Sequence, residues 1–539
     1  MIPAKSATVA ALDRLPWTAE LYQRYRARGA PPATGYRLDR LIEALPGWAD
    51  AARAHRLSLE PGHMKNVLVF ACLSWWIEHG VLLGLMLATA GHRVTLVTLP
   101  YRRWTVDPPG FDLRRQRVYL EDALRPASPM VVIGNLAQRS VAELPSGLSD
   151  VLERQALLDV QYTLQREDAA WEQDAEARAL FALRLRRNRA AAAGALSWME
   201  RSESDAVVVP NGSILEFGAV FHAARARRIH VSTYEFGEQR ERLWLAQDAQ
   251  VMRQDTTALW QSRGLTPLTE AEREGLRGMY AARRVGASWA NFARQWQSGE
   301  SEGAAAARAR LGLDPSRPVV LICTNVVGDS LALDRQVFTT GMSEWLAATV
   351  RRLAGRSEAQ VVVRVHPGEM LGAGHPSQDI VRSSLPLLPE NIHLVPPDSP
   401  VNTYDLIELA DLGLVYTTTV GLEMAMAGVP VLVAGATHYR GKGFTSDPDT
   451  WEEYFATLDG WLADPAAARL GPAQVELAQR YAYRFFFEFP FPYPWHLIGF
   501  WDDVRLRPPQ DVFRAENLSA YERTISAMVG EPVFWGTGP

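Results

Sequence analysis

The chain twice alternates between short unbroken apolar runs and longer stretches in which apolar residues recur every three or four positions. An uninterrupted run of four to eight apolar residues suits a strand covered on both faces; the longer spacing suits a helix with one buried side. From Lys65 the order is strand NVLVFAC, helix EHGVLLGLMLATAG closed by Gly91, and strand RVTLVTL. Connections this short favour a parallel sheet. MVVIGN adds a strand, residues 151–203 read as a long helical region, and DAVVVPNG, ILEFGAVFHAARARR and IHVSTYEFG form a second strand–helix–strand unit. The alternation restarts with strand RPVVLICTN, helix FTTGMSEWLAATVRRLAG and strand AQVVVRVHPGE. NIHLVPP, LGLVYTTT and VPVLVAG supply three further strands, with helices near 402–410 and 420–427 between them. VLVFAC and VVLIC are similar first strands, each ending on one of the only two cysteines.

The pattern predicts an α/β protein with two Rossmann-like halves. Residues 1–60 read as a helical N-terminal extension broken at Pro31 and Pro32, 61–300 as the first domain with a long helical insertion, and 305–470 as the second. QSGESEGAAAA, at 297–307, is the linker candidate, because small and polar residues interrupt the apolar periodicity there. The remainder, 471–539, turns helical, then aromatic and proline-rich. Pro490, Pro492 and Pro494 impose an extended path that no central strand can adopt. Its Phe and Trp residues need cover, which predicts a segment packed back across the domain junction. A patch for a lipid or acceptor chain is the sharper alternative.

Composition narrows the class without changing it. A chain of 539 residues is too long for one ordinary core, and a net charge of −5 gives no general pull toward nucleic acid. Cys72 and Cys323 lie far apart with no metal-ligand spacing and read as reduced core residues of a cytoplasmic protein. The most apolar stretch is interrupted by Glu78 and His79 and is a poor membrane span. Contact with the inner face of a membrane is the outer limit of this reading.

Candidate chemistry gathers where strands end, since helix N-termini and free N–H groups face outward at the carboxyl edge of an open sheet. In VVVRVHPGE, strand alternation places Arg364 and His366 on one face, and Pro367 restricts the backbone beside the imidazole. His366 there could donate to a phosphate oxygen; the plainer reading is a structural histidine with Arg364 paired to a carboxylate. In LGLVYTTTVGLEMAMAGVPVLVAG, a strand runs into Thr417, Thr418 and Thr419 at the start of a helix carrying Gly421 and Glu423. Such hydroxyls suit an anion, and Glu423 is placed to accept from a ribose diol; capping and dipole stabilisation are the plainer roles. Asp447 and Asp449 read as a turn and capping pair, so no metal site is expected.

RVHPGE, the block SPVNTYDLIELADLGLVYTTTVGLEMAMAGVPVLVAG and the HYRGKGFT after it resemble the capsule polysaccharide biosynthesis glycosyltransferases, GT-B enzymes that include Kdo transferases. The resemblance covers about residues 318–446, is looser over 65–100 and 205–240, and does not extend to 1–60 or 110–200. It implies two Rossmann-like domains with parallel sheets facing a central cleft, a nucleotide-sugar donor in the second, and a glycan, glycolipid or other hydroxyl acceptor in the first. It implies no cofactor beyond that co-substrate, for which a CMP-linked sugar is one candidate. By motif, His366, Thr417, Thr418 and Thr419 would hold the donor phosphate, Glu423 the ribose, and Arg440 and Lys442 of the YRGKG loop would add positive charge.

Glycosyl transfer also needs a base for the acceptor hydroxyl. Glu78 and His79 in CLSWWIEHG are the first candidates and Glu235 in STYEFGE the second, with Glu238 close by. Trp75 and Trp76 could stack on a sugar, and Asn211 and Gly212 could shape the acceptor pocket, although packing and turn geometry account for them too. Two other functions fit the same pattern: a nucleotide-sugar 2-epimerase and a non-catalytic sugar-nucleotide-binding protein. The base, the sugar, the stereochemistry and the oligomeric state have no signature in the chain.

Overall fold

The computed structural model describes residues 15–536 except 16, 29, 33–36, 61, 137–142, 168–171, 238, 285–299 and 372–375. Glu238 and the first residues of the expected linker, 297–299, therefore lie outside the described residues. The chain divides into two compact units. One is drawn from Met1–Asp159, Ala175–Met252 and Phe491–Val533, the other from Val160–Asp174, Arg253–Pro490 and Phe534–Pro539.

The first unit holds strands β1 (Asn66–Cys72), β2 (Arg93–Leu99), β3 (Val131–Asn135), β4 (Ala206–Pro210), β5 (His230–Glu235) and β6 (Arg242–Gln247). With the two-residue β12 (Phe491–Pro492) they form one sheet ordered β12-β6-β5-β4-β1-β2-β3. β1 to β5 are parallel, while β6 and β12 are antiparallel additions at one edge. The proline-rich tail thus contributes an edge strand, where a missing N–H costs no ladder bond. Its aromatic residues Phe491, Tyr493 and Trp495 are buried.

The second unit holds β7 (Val319–Cys323), β8 (Gln360–Arg364), β9 (Ile392–Val395), β10 (Leu412–Val415) and β11 (Val431–Val433), all parallel, in the order β11-β10-β7-β8-β9. Counted within each unit, both sheets run 3-2-1-4-5, so both are Rossmann-like. β1 and β7 are the central strands, and every residue of β7 and all but the first of β1 are buried. Their resemblance in sequence reflects equivalent positions in two sheets of one topology. Cys72 and Cys323, the last residues of these strands, are buried free thiols.

The chain leaves the first unit after Met252, well ahead of the linker expected at 297–307. Helices Thr257–Arg263 and Glu270–Arg284 belong to the second unit because they are fastened to it. Thr256 Oγ1 lies 2.7 Å from the Tyr481 hydroxyl, Arg263 pairs with Glu488 at 3.1 Å, and Arg484 pairs with Glu272 at 3.2 Å. Within the linker stretch, the amides of Glu302 and Gly303 donate to Asp405, and Ala304–Leu311 is a helix.

Candidate functional site

In a 3-2-1-4-5 sheet the order reverses between strands 1 and 4, and a crevice opens at their carboxyl ends. In the second unit those strands are β7 and β10. β7 runs into Thr324 and Asn325, β10 into Tyr416 and Thr417. The two ends are joined directly, the Thr417 amide donating to Asn325 Oδ1 at 3.1 Å. β8, beside β7, delivers His366, whose amide donates to Thr324 Oγ1 at 3.0 Å. The backbone at His366 and at the threonine turn, some fifty residues apart in sequence, is thereby held against neighbouring residues at the end of one strand.

The HPG motif has a local reason. The Gly368 amide donates to His366 Nδ1 at 2.9 Å, which leaves Nε2–H as the ring's donor. A Cβ on residue 368 would stand 2.8 Å from that nitrogen, so only glycine lets the amide close on the ring. Burial, then the Arg364 charge, push the His366 pKa down to about 4. The ring is therefore a neutral donor at ordinary pH. Arg364 is not beside it as a ligand cation: its Nη1 donates to the Pro396 carbonyl at 2.5 Å and its Nε to Thr403 Oγ1 at 3.4 Å. It fastens the sheet end to the segment beyond β9.

The three threonines divide in the same way. Thr417 spends its hydroxyl on the Leu331 carbonyl at 3.2 Å. The hydroxyls of Thr418 and Thr419 make no hydrogen bond among the described residues. Thr324, Asn325 and Arg335 are site residues that motif reading passes over. Asn325 Nδ2 makes no hydrogen bond among the described residues. Arg335 is buried beside Tyr416, and its carbonyl accepts from the Ala436 amide at 2.8 Å. Burial, then Arg253, bring the Arg335 pKa down to about 10. The signal for Thr324 and Asn325 is their position directly after the central strand VVLIC; nothing in LALDRQVF singles out Arg335.

Glu423 is buried and already engaged. Arg283 Nη1 donates to its Oε1, and the Tyr404 hydroxyl donates to the same oxygen at 3.2 Å. Burial raises the Glu423 pKa above the usual carboxylate value against the opposing pull of Arg283 and Tyr404. A ribose diol binding at Glu423 would have to share the carboxylate with these two donors.

Arg440 does not supply free charge. Its guanidinium donates to the carbonyls of Val433 and Asp447 at 2.9 Å and of Pro448 at 2.5 Å, and pairs with Asp449 at 2.9 Å. Asp447 accepts from the Gly441 amide at 2.8 Å and from Thr445 Oγ1. The YRGKG loop and the turn at 447–449 therefore brace each other. Among the described residues no three His, Cys, Asp or Glu side chains cluster as metal ligands do. Lys442 is half-buried, and burial lowers its pKa while Asp255 opposes the shift.

Gly421 is required by packing. A side chain there would run into the Tyr439 hydroxyl, which donates to the Thr418 carbonyl at 2.7 Å. Gly421→Ala is expected to destabilise the second unit by about 1–3 kcal/mol. Urea denaturation would read this, and a midpoint unchanged from wild type would show that Tyr439 can withdraw without cost.

In the first unit the reversal lies between β1 and β4. Leu73, immediately after β1, has φ 65°, and Asn211 and Gly212, after β4, have φ 59° and 77°. Gly212 serves turn geometry packed on Thr233; Asn211 Oδ1 accepts from the Ser213 amide at 3.0 Å. Asn211 Nδ2 donates to Glu235 Oε2 at 3.0 Å, and Glu235 Oε1 accepts from the Phe236 amide at 3.0 Å. Asn211 and Glu235 are thus brought together, with a donor on each carboxylate oxygen.

His79 and Trp76 are packing residues. His79 is fully buried among Trp76, Tyr234, Phe236, Tyr493 and Phe500, and burial, then His496, push its pKa down to about 3. A ring enclosed by aromatics cannot meet an acceptor hydroxyl, which corrects its reading as a base. Glu78 is half-buried and accepts from Trp501 Nε1 at 3.2 Å. Burial raises its pKa to about 7, partly offset by Trp501 and Arg40. Trp75, at 43% exposure, is the tryptophan of the pair that a ligand could reach.

One constellation imitates an acyl-transfer triad. His230 lies 3.3 Å from Asp248 and 2.9 Å from Ser232 Oγ. Ser232 is fully buried and its hydroxyl donates to the Ala527 carbonyl at 3.1 Å, so it fastens helix Glu522–Met528 to β5.

No family model matches the chain, and no curated protein matches it in sequence. Solved structures similar to it include KpsC of Thermosulfurimonas dismutans, a beta Kdo 2,4 transferase, at 17% identity over 51% of this chain and 79% of that one, with a TM-score of 0.34. A putative UDP-N-acetylglucosamine 2-epimerase of Listeria monocytogenes matches at 13% identity over 84% of this chain and 97% of that one, TM-score 0.28. The catalytic domain of Starch Synthase IV of Arabidopsis thaliana matches at 10% identity over 62% and 78%, TM-score 0.27. Transferases and epimerases stand together among these neighbours, and the likeness is to an α/β architecture, not to a reaction.

Proposed function

We propose that the protein is a glycosyltransferase whose second unit holds a nucleotide-sugar donor and whose first unit presents a hydroxyl acceptor, in bacterial surface glycan assembly. The observation that carries this reading is the meeting of His366, Thr324, Asn325 and Thr417 at the β7/β10 reversal, with Thr418 and Thr419 in the same turn. Departure of a nucleotide concentrates negative charge on its phosphate. Neutral donors fixed before the reaction stabilise that charge without reorganising. His366 Nε2–H, the Asn325 amide and the Thr418 and Thr419 hydroxyls are such donors, and Arg335, whose Nη1 donates to the Asp334 carbonyl at 3.4 Å, is the buried cation beside Tyr416.

The reading is tested by a thermal-shift panel of CMP, UDP, GDP and dTDP, and then by incubation of the matching nucleotide sugar with and without glycan acceptors. Nucleotide release that depends on an acceptor supports transfer. Isomerisation of the sugar without acceptor would make the protein a 2-epimerase, and binding without turnover in any acceptor screen would make it a sugar-nucleotide-binding protein.

Glu78 is proposed as the base. A carboxyl with a pKa near 7 is half ionised at working pH, where a base is most effective. Transfer is expected to fall as pH drops through about 7 and to lose that step in Glu78→Gln. The raised pKa also has a cost for the fold. The stability it contributes is fully present below the ordinary carboxyl value and is lost as pH rises through about 7. Glu78→Gln should therefore not lower the melting temperature in alkaline buffer. An unchanged pH–rate profile in this variant would move the role to Glu235.

A further inference from the structure

Residues 17–28 are amphipathic in the wrong sense for a packed helix. Gln23 is completely buried, its Nε2 donating to the Ala30 carbonyl at 2.7 Å, and its Oε1 accepts from Arg115 at 3.1 Å. Glu20 pairs with Arg117 at 3.1 Å, and Arg114 donates to the Leu15 carbonyl at 3.2 Å. The three arginines belong to helix Gly110–Leu124, so polar groups fasten the segment's inner side to the first unit. Its large apolar residues face outward: Trp17 is 72% exposed, Leu21 54% and Tyr25 76%. Their four-residue spacing runs along one side of the helical path 18–26.

Cations accompany this stripe. Arg24, Arg26 and Arg28 are exposed and make no ion pair among the described residues. The chain as a whole carries a net charge of −5, so this is a local cationic patch on an acidic protein. Trp and Tyr favour the headgroup level of a bilayer, where a ring can be half immersed, and arginines there meet anionic phosphates. The exposed arginines fit an anionic surface, and the aromatic side chains beside them fit an acyl boundary. We propose that Trp17, Leu21 and Tyr25, with Arg24 and Arg28, form a docking stripe for an anionic lipid bilayer, which the first unit presents on the arginines of helix Gly110–Leu124.

Flotation of the full chain with phosphatidylcholine vesicles, with and without phosphatidylglycerol, tests this. Binding is expected only with phosphatidylglycerol and should weaken with salt. Arg24→Glu with Arg28→Glu is expected to reduce partitioning by roughly thirtyfold or more, from about 1 kcal/mol per arginine near an anionic surface. Trp17→Ser with Tyr25→Ser should reduce it with the charges intact. All these side chains are exposed, so the melting temperature should stay at the wild-type value. No binding to anionic vesicles, or binding unchanged in both variants, would overturn the proposal. So would sedimentation showing that the stripe instead joins two copies of the chain, with the variants dissociating them.

Discussion

Arg184→Met is expected to destabilise the first unit by about 3–5 kcal/mol, a large part of the roughly 5–15 kcal/mol that holds a domain folded. Arg184 is completely buried. It donates to Asp159 at 3.1 Å and to both oxygens of Glu216 at 3.0 and 2.9 Å, and reaches Asn188 Oδ1 at 3.1 Å. Asp159 also accepts from Asn188 at 2.7 Å, Gln155 at 3.0 Å and the Leu215 amide at 2.5 Å. Leu215 has φ 56°, and Gln155 also donates to the Ser213 carbonyl at 2.9 Å. The network therefore holds the turn after β4, where Asn211 and Glu235 meet.

Methionine fills a comparable volume but leaves two carboxylates buried without the cation that bonds them both, while Arg187 stays 4.0 Å from Glu216. Burial alone would raise the Glu216 pKa; Arg184 foremost, with Arg187 adding to it, outweighs burial and holds the group below its usual value. A depressed folded pKa contributes stability above the ordinary carboxylate range and loses it as pH falls through the folded value. In Arg184→Met the larger part of that contribution is gone, so the deficit should be widest at neutral pH and narrow on acidification. Adding Glu216→Gln should recover part of the loss by removing one uncompensated charge. Urea denaturation at neutral and acidic pH measures both effects. A single variant within about 1 kcal/mol of wild type would mean that water reaches the cluster and the pair is not dry.

The strands are legible in the chain because their signal is local. Buried parallel strands are continuous apolar runs, and each half announces its central strand with one. β6, RLWLAQ, escapes such a reading, since a half-buried strand next to the sheet edge alternates and resembles a loop. Helix Gly110–Leu124 escapes it because its arginines, committed to the segment around Glu20 and Gln23, mask the apolar face. His366 and the threonine turn stand out since each lies in one contiguous motif at a strand end. Arg440 and Arg364 mislead for a common reason: a cation near glycine or at a strand end reads as ligand charge, and only coordinates reveal guanidinium groups spent on carbonyls. Arg283 has no signal at all, because its partner Glu423 lies far along the chain and nothing in sequence links them.

His366→Ala is expected to weaken nucleotide binding by about tenfold to a hundredfold, the worth of one hydrogen bond to a charged group at roughly 1.5–3 kcal/mol. The argument rests on the tautomer. With Nδ1 accepting from the Gly368 amide, the ring can offer only Nε2–H, and a pKa near 4 keeps it neutral across the range in which enzymes work. Affinity should therefore show no step near the ordinary histidine pKa attributable to this residue. His366→Gln retains an N–H donor and should recover part of the loss, which separates a contact with the ligand from a role in the fold. The thermal shift at saturating nucleotide reads wild type and both variants, since a ligand that binds only the native state raises its stability by RT ln(1 + [L]/Kd). If wild type responds to a nucleotide and His366→Ala responds equally, the phosphate lies elsewhere along the β7/β10 edge. Thr418, Thr419 and Arg335 would then be the next side chains to remove.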